Sequence, residues 1–574
     1  MASRKVVNIG AQQFDRLIEE NKFYIDKTGF IREWWETGAD VTLITRPRRF
    51  GKTLNMSMVE CFFSNQYAGR SDLFEGLSIW TVPQNPEDKD YRLIQGTFPV
   101  IFLSFAKIKA ADSKGMKYAM SSIIFEAYQK NRFLCEGDFL SEAEKRYFNS
   151  IEPGMEMEIA VDAIYTLSNF LCRYYDKRVI ILLDEYDTPM QEAWISGYWD
   201  EAVRFFRNFF NASFKTNPHM QRALITGITR VSKESIFSDF NNPEVITTTS
   251  DKYASYFGFT EQEVFQALEE MGLEQEKEGV KRWYDGFTFG SVTGMYNPWS
   301  VVSFIASGKK YKTYWADTSS NGLVDKLIRE GSAEIKKHFE MLLEGQSILV
   351  PIDEQIVYNQ LEEYESAIWS LLLAGGYLKV LSVEGLRLMD NLNEEKYELA
   401  LTNYEVRRMF AKMIRGWFRS TTEVYNEFIK ALLSDNVKKM NTFMNKVALN
   451  TFSFFDSGTR PSQGAAPERF YHGFVLGMVI DLADRYKVCS NRESGYGRYD
   501  VLLKPLDKRE KAFIFEFKVL DPDENELTLE DTLANAHAQI EEKQYAAELA
   551  AEGFAPAQLR KYGFAFQGKK CLIG

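Results

Sequence analysis

The sequence predicts a multidomain α/β protein, and three observations lead to this prediction. The chain has 574 residues, about three to four times the length of a usual domain. Residues 1–250 alternate short apolar runs with longer amphipathic stretches, the pattern of a parallel sheet flanked by helices. The sequence then becomes helical and aromatic-rich, and it closes with a small α/β unit.

The elements of the N-terminal domain, residues 1–250, follow from continuous apolar runs and from apolar residues at helical spacing. Strands are predicted over Val41–Thr45, Pro99–Phe105, Val179–Leu183 and Ala223–Thr226. Helices are predicted over Leu54–Phe63, Met116–Asn131, Met157–Tyr175 and Trp199–Phe214.

Three further domains are predicted. Residues 251–345 form a helical lid or small domain, in which the alternation of strands stops. Residues 346–455 are helical, with a helix running into a strand within 361–380, a strand at 397–401 and a helix from Tyr404. That order fits a winged helix but is common elsewhere. A Gly-, Ser- and Pro-rich segment at 455–469 sets the final boundary, so the last domain covers 456–574. It contains a helix at 469–486, a hairpin and a long helix.

The composition excludes several classes of protein. With 45% hydrophobic and 26% charged residues, the chain is globular, and a net charge of −12 argues against general binding to nucleic acid or membranes. Five scattered cysteines without a CxxC pair indicate a reducing compartment, and no secretion signal or membrane-spanning run is present. We therefore expect a cytoplasmic protein without membrane contact.

A phosphate-binding loop follows the first predicted strand. Gly51, Lys52 and Thr53 lie between this strand and a helix, where backbone N–H groups can hold polyphosphate, the ammonium can reach the β- and γ-phosphates and the hydroxyl can ligate Mg²⁺. Arg46 occupies the position of the first consensus glycine. Arg46, Arg48 and Arg49 could contact phosphate, pair with acidic residues in the absence of nucleotide, or form a solvated basic turn.

Two later strands end in polar residues that suit the same site. Asp184 and Glu185 follow the strand of RVIILLDEYDTP, where an aspartate serves the Mg²⁺ shell and a glutamate serves the attacking water of P-loop ATPases. Acidic residues also cap strand ends without a catalytic role. Thr229 and Arg230 follow the fourth strand as a candidate γ-phosphate sensor and charge stabiliser, although such residues are common at strand ends.

These motifs together resemble a known family. YIDKT at 24–28, RPRRFGKTL at 46–54, LLDEYDTP at 182–189, YFGFT at 256–260, WYDGF at 283–287 and YNPWS at 296–300 resemble the AAA-ATPase-like proteins of bacteria and archaea. The resemblance covers roughly the first 300 residues. It implies binding and hydrolysis of ATP by Lys52, Thr53, Asp184 and Glu185, and it supplies no substrate.

A second site is predicted on a hairpin near the C-terminus. Asp500 lies in its first strand, and Glu516 and Lys518 interrupt the apolar second strand FIFEFKV. Residues i and i+2 share a face of a strand, so the latter two project together, opposite the aromatic residues. Two converging carboxylates in this setting require a cation, for which Mg²⁺ or Mn²⁺ is suited, and a metal with a neighbouring lysine suits phosphodiester cleavage. A surface hairpin with solvated charges is the alternative.

The hairpin resembles the PD-(D/E)xK nuclease superfamily, which has a restriction-endonuclease-like fold. The resemblance implies that Glu468 is an acidic residue of the opening helix and that Gln539, with Lys543 and Tyr545, joins the site from a later helix. Tyr499-Asp500 replaces the proline-aspartate pair of the superfamily name. His472 and His537 lie on the same two helices as candidate bases, with a packed or capping role as the alternative.

Together the two resemblances imply an ATP-hydrolysing protein with a metal-dependent nuclease domain. The expected cofactors are ATP and Mg²⁺, with Mn²⁺ as an alternative at the hairpin, and the expected partner is nucleic acid, DNA before RNA. A role in conflict with mobile elements or phages is suggested only by association. The alternative is a nucleotide-switched ATPase that binds nucleic acid or protein through an inactive nuclease-like domain. Homo-oligomerisation stays open.

Overall fold

The computed structural model divides the chain into two compact units. The first comprises Met1–Val324 and Ser347–Val406, and the second comprises Asp325–Gln346 and Arg407–Gly574. The residues described are 5–83, 89–215, 217–230, 243–316, 322–330, 332–354, 365–384, 395–417, 422–451, 475, 479, 482, 485–494, 497–522, 526–542, 546–567 and 570–574.

A parallel five-stranded sheet forms the core of the first unit. Its strands are β1 (Val41–Thr45), β2 (Val100–Ser104), β3 (Val179–Asp184), β4 (Met220–Gly227) and β5 (Glu244–Ile246). Their order in the sheet is β2-β3-β4-β1-β5. The four predicted strands are confirmed within a few residues, whereas β5 was not predicted because it is three residues long and begins with a glutamate. Since β4 separates β1 from β3, the loops that leave these three strands meet at one edge of the sheet.

Helices flank this sheet, and their lengths follow the apolar spacing of the sequence. They are α1 (Phe14–Glu19), α2 (Gly29–Glu36), α3 (Lys52–Phe63), α4 (Ser113–Lys130), α5 (Glu142–Ser150), α6 (Met157–Tyr175), α7 (Thr188–Ser196) and α8 (Trp199–Phe210). The predicted helices correspond to α3, α4, α6 and α8. The last ends four residues earlier than predicted, at Phe210, because the backbone widens into a π-helical turn over Asn211–Lys215.

Residues 259–306 combine three helices with a small antiparallel sheet. The strands are β6 (Phe259–Thr260), β7 (Phe287–Phe289) and β8 (Val292–Tyr296), and the helices are α9 (Glu261–Glu270), α10 (Lys277–Tyr284) and α11 (Pro298–Ala306). The expectation that strands stop after residue 250 is wrong here. Strands of two to five residues are too short to show an alternating pattern.

A second small sheet follows in the chain. The elements of this stretch are α12 (Gly322–Glu330), α13 (Ala333–Glu344), β9 (Ile348–Pro351), α14 (Glu365–Ala374), β10 (Leu378–Glu384), β11 (Lys396–Leu401) and α15 (Tyr404–Trp417). The sheet is antiparallel with the order β10-β11-β9. Strand, helix, strand and strand follow in an order compatible with a winged helix, and α14 buries Ile368, Trp369 and Leu372.

The second unit contains a mixed sheet with helices. Its strands are β12 (Tyr486–Ser494), β13 (Gly497–Pro505), β14 (Ala512–Val519), β15 (Leu559–Gln567) and β16 (Lys570–Ile573), in that order across the sheet. Its further helices are α16 (Thr422–Leu433), α17 (Val437–Thr451), α18 (Leu529–Glu542) and α19 (Ala546–Ala551). Only the pair β14 and β15 is parallel, and α18 and α19 lie in the connection between them.

Each face of this sheet buries its own apolar layer. Phe515 and Phe517 of β14 pack in one cluster with Phe428 of α16 and Met440 of α17. The opposite face carries Leu502, Ile514 and Ile540, the last of which belongs to α18. The predicted alternation of aromatic and charged residues in β14 is confirmed, because the phenylalanines share one face and the charges occupy the other.

Two asparagines of α17 bind the backbone of the edge strand β16. Asn441 donates to the carbonyl of Ile573 at 2.7 Å and accepts from its N–H at 2.8 Å. Asn445 pairs in the same way with Cys571, at 2.6 and 3.0 Å. Four helical residues rise about 6 Å and two strand residues about 6.8 Å, so both amides fit alternate residues of the strand. The amides thus take the place of a further strand.

The packing places α16 and α17 with the C-terminal sheet, whereas a domain boundary at 455/456 was predicted from composition. The compact unit extends back to Arg407 and also includes Asp325–Gln346. The linker at 455–469 lies outside the described residues, and so does most of the helix predicted at 469–486. Within the part of the chain that the structure describes, no helix combines the length and apolarity needed to span a bilayer.

Candidate functional site

The predicted phosphate loop connects β1 to α3. Strand β1 ends at Thr45 and α3 begins at Lys52, so the N–H groups of the first helical turn face the loop. Arg49 and Gly51 have left-handed backbone conformations, with φ of 66° and 79°. The bend at residue 51 favours glycine, which has no Cβ to oppose it. These features produce a strand–loop–helix arrangement that is suited to binding phosphate.

The Lys52 side chain folds back into this loop. Its ammonium is buried and donates to the carbonyls of Arg46 and Pro47, each at 2.9 Å. Burial lowers the pKa of Lys52, and the negative charges of Glu185 and Asp184 oppose that effect. The ammonium therefore lies in the loop at the N-terminus of α3. A phosphate oxygen could replace the two carbonyls that now accept its hydrogen bonds.

Asp184 is the acidic centre of the site. Only 1% of its surface is exposed. It accepts hydrogen bonds from Thr53 at 2.7 Å and from Thr226 at 2.5 Å. Burial raises the pKa of Asp184, although both hydroxyls and the charge of Lys52 favour the carboxylate. A buried carboxylate beside a threonine hydroxyl is an oxygen donor set that fits Mg²⁺.

Glu185 lies one residue beyond this carboxylate and adopts an unusual backbone conformation. Its φ of 52° falls in the left-handed region, which is uncommon for residues other than glycine and is found at functional sites. Thr188 donates to its carboxylate at 3.3 Å. Both the charge of Glu185 and the charge of Asp184 raise the pKa of Lys52, and the effect of Glu185 is the larger. The glutamate therefore lies close enough to the phosphate loop to interact with its charges.

Asp187 binds the loop that follows β4. It is buried and accepts from the N–H groups of Ile228 and Thr229 at 3.0 and 2.8 Å. The Thr229 hydroxyl also donates to Asp187, at 2.8 Å. Thr229, the candidate γ-phosphate sensor, is buried and anchors this loop. Arg230 follows it and is partly exposed.

Arg46 is part of the core of the unit. The side chain is fully buried and donates to the carbonyls of Thr45 at 2.9 Å and Thr247 at 2.6 Å. Its guanidinium lies 4.5 Å from the ring centroid of Phe289, and burial lowers its pKa to about 9. The solvated basic turn considered for this arginine does not apply, because the buried side chain joins β1 to neighbouring backbone through carbonyl groups.

The other two arginines of the loop are more accessible. Arg48 donates to the amide oxygen of Gln191 at 3.4 Å. Arg49 is exposed, and its guanidinium lies 4.2 Å from the ring centroid of Trp299. These two cations are therefore the ones that a bound phosphate could reach.

In the second unit, Asp500 and Glu516 lie on paired strands. The antiparallel register pairs Val501 with Phe515, so the two carboxylate residues occupy the next position along β13 and β14. Asp500 is partly exposed and accepts from the N–H of Phe517 at 2.8 Å. Glu516 is 2% exposed. The alternative of a surface hairpin with solvated charges is wrong for Glu516.

Helix α18 completes this group. The Gln539 amide donates a hydrogen bond to the Glu516 carboxylate, which brings the predicted helical residue into the site. Lys518 lies two residues beyond Glu516 on the same face and is partly exposed. His537 has its ring against β15, since a Cβ added at Gly563 would lie 3.5 Å from it. That contact agrees with the packed role considered for this histidine.

Glu526 is a buried acidic residue that the sequence did not indicate. Its carboxylate accepts from the Asp521 N–H at 3.0 Å, the Thr532 hydroxyl at 2.7 Å and the Asn535 amide at 2.6 Å. These contacts hold the loop after β14 against the start of α18. They and the charge of Lys518 lower the pKa of Glu526, against the effect of burial.

Four candidates of the second site lie outside the described residues: Glu468, His472, Lys543 and Tyr545. Among the residues that are described, no group of three or more His, Cys, Asp or Glu side chains is placed to hold a metal ion. Asp500 and Glu516 supply two carboxylates, which fits a divalent ion with further ligands from elsewhere.

Two family comparisons agree with the two sites. Residues 8–237 match the family described as Predicted AAA-ATPase. Residues 466–574 match the PD-(D/E)XK nuclease superfamily. The chain joins a predicted AAA-ATPase domain to a PD-(D/E)XK nuclease superfamily domain. Both resemblances drawn from the sequence motifs are confirmed.

Two further comparisons, one with a curated protein and one with a solved structure, assign no function to this chain. The chain is 24% identical over 566 residues to an "Uncharacterized protein in vnfD 5'region" of Azotobacter chroococcum mcd 1, covering 96% of this chain and 95% of that one. A structural comparison finds the Aeropyrum Pernix ORC2 protein in its ADPNP-ADP complexes, with 12% identity and a TM-score of 0.24, covering 70% of this chain and 93% of that one. That superposition is too loose to support an inference about the fold.

The ATPase domain also contains contacts that motif analysis missed. Thr226 was noted only as a strand-end residue, although it donates to Asp184. Asp187 lies in the motif LLDEYDTP but is not among the predicted site residues, although it holds the loop after β4. Their proximity follows from the β3–β4 pairing, which no local motif encodes. The apolar strand ALIT, ending in threonine beside the predicted Asp184 strand, was the available signal.

Proposed function

We propose that the protein binds and hydrolyses ATP and that its C-terminal domain cleaves nucleic acid, DNA rather than RNA, with a divalent metal. The observation that carries the proposal is the burial of Glu516 beside Gln539, one strand away from Asp500. Burying a carboxylate costs free energy unless hydrogen bonds or a cation compensate its charge. A divalent metal that assists phosphodiester hydrolysis would explain why these three residues lie together. A role in conflict with mobile elements or phages rests on the resemblance alone.

In the ATPase domain, Lys52 would exchange the carbonyls of the loop for phosphate oxygens. Thr53 and Asp184 would hold Mg²⁺, which offsets charge on the phosphates when it is bound. Glu185 would orient the attacking water and accept its proton. Arg49 would contribute a further positive charge, and Arg230 would reach the site only if its side chain turned toward the phosphate.

In the nuclease-superfamily domain, Asp500 and Glu516 would hold the divalent ion, Mg²⁺ or Mn²⁺. That ion lowers the pKa of a bound water and offsets phosphate charge. Gln539 fixes one carboxylate oxygen of Glu516, and Lys518 would stabilise charge that develops on the phosphodiester. Glu468 would act as a further acidic residue.

A cleavage assay tests the nuclease proposal. Purified full-length protein is incubated with single- and double-stranded DNA and RNA, with Mg²⁺, Mn²⁺ or EDTA, and with or without ATP. Glu516→Ala and Lys518→Ala should each reduce cleavage at least ~100-fold, within the range of a lost acid–base or electrostatic group. Glu541→Ala is the matched control, because this glutamate lies on the same domain in an exposed pair with Lys561.

The outcomes separate the two candidate functions. If wild type and the Glu541→Ala control cleave in Mg²⁺ while Glu516→Ala does not, the nuclease proposal stands. If wild type binds nucleic acid and hydrolyses ATP but never cleaves, the alternative applies, namely a nucleotide-switched binding protein. The hydrogen bond from the Phe517 N–H to Asp500 favours that second candidate, because it engages this carboxylate in a structural contact. Lys52→Ala should abolish ATP hydrolysis in both cases.

A further inference from the structure

The phosphate loop is held from behind by residues that lie about 250 positions later in the chain. The carbonyl of Arg48, at the centre of the loop, accepts two hydrogen bonds. One comes from the side-chain amide of Asn297 at 3.2 Å, and the other comes from the indole N–H of Trp315 at 3.0 Å. Two donors on one carbonyl fix the peptide plane between Arg48 and Arg49, just before the left-handed residue.

Asn297 uses both ends of its amide. Its oxygen accepts from the N–H groups of Trp299 at 2.9 Å and Ser300 at 3.3 Å, so the residue is the N-cap of α11. The same side chain is fully buried and donates to Arg48. The start of α11 and the phosphate loop therefore share one side chain.

Trp315 is anchored in turn by a buried acid. The indole is 1% exposed, and its ring packs against Phe287 and Tyr377 at centroid distances of 5.5 and 5.4 Å. The Glu405 carboxylate accepts from the backbone N–H of Trp315 at 2.6 Å and from the Ser300 hydroxyl at 2.8 Å. The backbone of the tryptophan is thus fixed by the residue that follows Tyr404 at the start of α15.

Close packing on the loop supports the same contact. Phe50 is fully buried against Phe287 and Phe289, at centroid distances of 4.7 and 5.4 Å. Gly376 lies against Pro47, since an added Cβ would come within 2.8 Å of the proline ring. The segments WYDGF and YNPWS, which carried the family resemblance without a chemical role, therefore contact the back of the phosphate loop.

We propose that Asn297 and Trp315 are positioning residues that preorganise the phosphate loop for ATP by holding the Arg48 carbonyl, with Glu405 holding Trp315. The inference rests on the proposed function of ATP binding. A free loop with left-handed residues samples other conformations, and binding must then restrict it, which weakens affinity. The two donors lie outside residues 8–237, so the ATPase domain needs the following segment to bind nucleotide at full strength.

Substitution of the indole provides the test. Trp315→Phe removes the N–H donor and keeps an aromatic ring, and Asn297→Ser keeps a cap acceptor but removes the amide donor. Trp34→Phe is the matched control, because Trp34 is also buried in this unit and donates to Thr42 at 3.2 Å, away from the loop. All variants are made in the full chain.

Two readouts are needed. Affinity for a fluorescent ATP analogue with Mg²⁺ should fall about tenfold in Trp315→Phe and in Asn297→Ser, the factor that corresponds to about 1.4 kcal/mol. Amide hydrogen exchange of peptides covering residues 47–52 should become at least ~10-fold faster without nucleotide, since one restraint of about that free energy is lost. Trp34→Phe should change neither quantity more than twofold.

The results distinguish the two proposals. Unchanged exchange at residues 47–52 would show that the donors do not hold the loop. Faster exchange with unchanged affinity would show that they hold it without positioning it for nucleotide. If wild type binds no ATP while exchange still responds, the proposed ATPase function fails and the positioning role fails with it, but the contact to Arg48 stands. Each of these three results overturns the inference.

Discussion

Glu405 should make the stability of the first unit depend on pH near neutrality. The carboxyl group is fully buried, and burial raises its pKa from 4.5 to about 7, against the hydrogen bonds from Ser300, Trp315 and Ala316. Tyr284 also faces it, and the charge of Glu405 contributes to the raised pKa of that phenol. The folded protein therefore holds the Glu405 proton more tightly than the unfolded chain does.

The sign and size follow from this difference. A raised folded-state pKa contributes stability that is fully present below about pH 4.5 and is lost as pH rises through about 7. At about 1.4 kcal/mol for each tenfold change in proton affinity, the whole contribution is about 3 kcal/mol, and about 2 to 3 kcal/mol of it is lost between pH 5 and pH 8. Glu405→Gln resembles the protonated form and cannot titrate.

Urea unfolding followed by tryptophan fluorescence measures this contribution. The signal reports mainly on the first unit, because Trp417 is the one tryptophan of the sequence outside it. The excess of Glu405→Gln over wild type in the free energy of unfolding should grow by about 2 to 3 kcal/mol between pH 5 and pH 8. Glu398→Gln is the control, since hydroxyl groups of Ser347 and Ser382 lower that pKa. The reasoning would be refuted if the free energy of unfolding of wild type rose relative to that of Glu405→Gln as the pH increases.

Three further predictions concern packing, and each is checked by urea unfolding of the full chain. Phe517→Ala should lower the stability of the second unit by about 3 to 5 kcal/mol through a cavity in its aromatic layer, and a loss below about 1 kcal/mol would contradict that layer. Asn441→Ala and Asn445→Ala should each cost about 1 to 3 kcal/mol by leaving backbone groups of β16 unpaired, with faster hydrogen exchange in that strand. Gly376→Ala should destabilise more than Gly308→Ala, because both glycines have positive φ but only the former has a neighbour within 4 Å; equal losses would indicate backbone strain alone.

The sequence predicted those parts of the fold that short segments encode. Strands β1 to β4 are continuous apolar runs, and the alternation of FIFEFKV assigned Glu516 and Lys518 to one face correctly. The motif at Lys52 and Thr53 located the candidate phosphate loop because strand, loop and helix are consecutive there.

The remainder depends on contacts between distant segments. Thr226 reaches Asp184 only through the pairing of β3 with β4, and Asn297 reaches Arg48 across 249 positions. The sequence is compatible with Arg46 as a phosphate ligand, an ion-pair partner or a solvated residue, and the fold buries it against Phe289. None of these three contacts can be predicted from local sequence, because the partners are far apart in the chain. Threonine, asparagine and arginine each occur in several structural roles, and the role depends on the neighbours that the fold provides.

The side chains that satisfy β16 have a practical consequence for dissecting this protein. A fragment cut at the start of the superfamily match, residue 466, would lack α17 and expose a strand whose hydrogen-bonding groups point to solvent. Such an edge recruits further chains, so precipitation of that fragment would reveal nothing about the chemistry of the intact protein. A soluble piece should begin before α16.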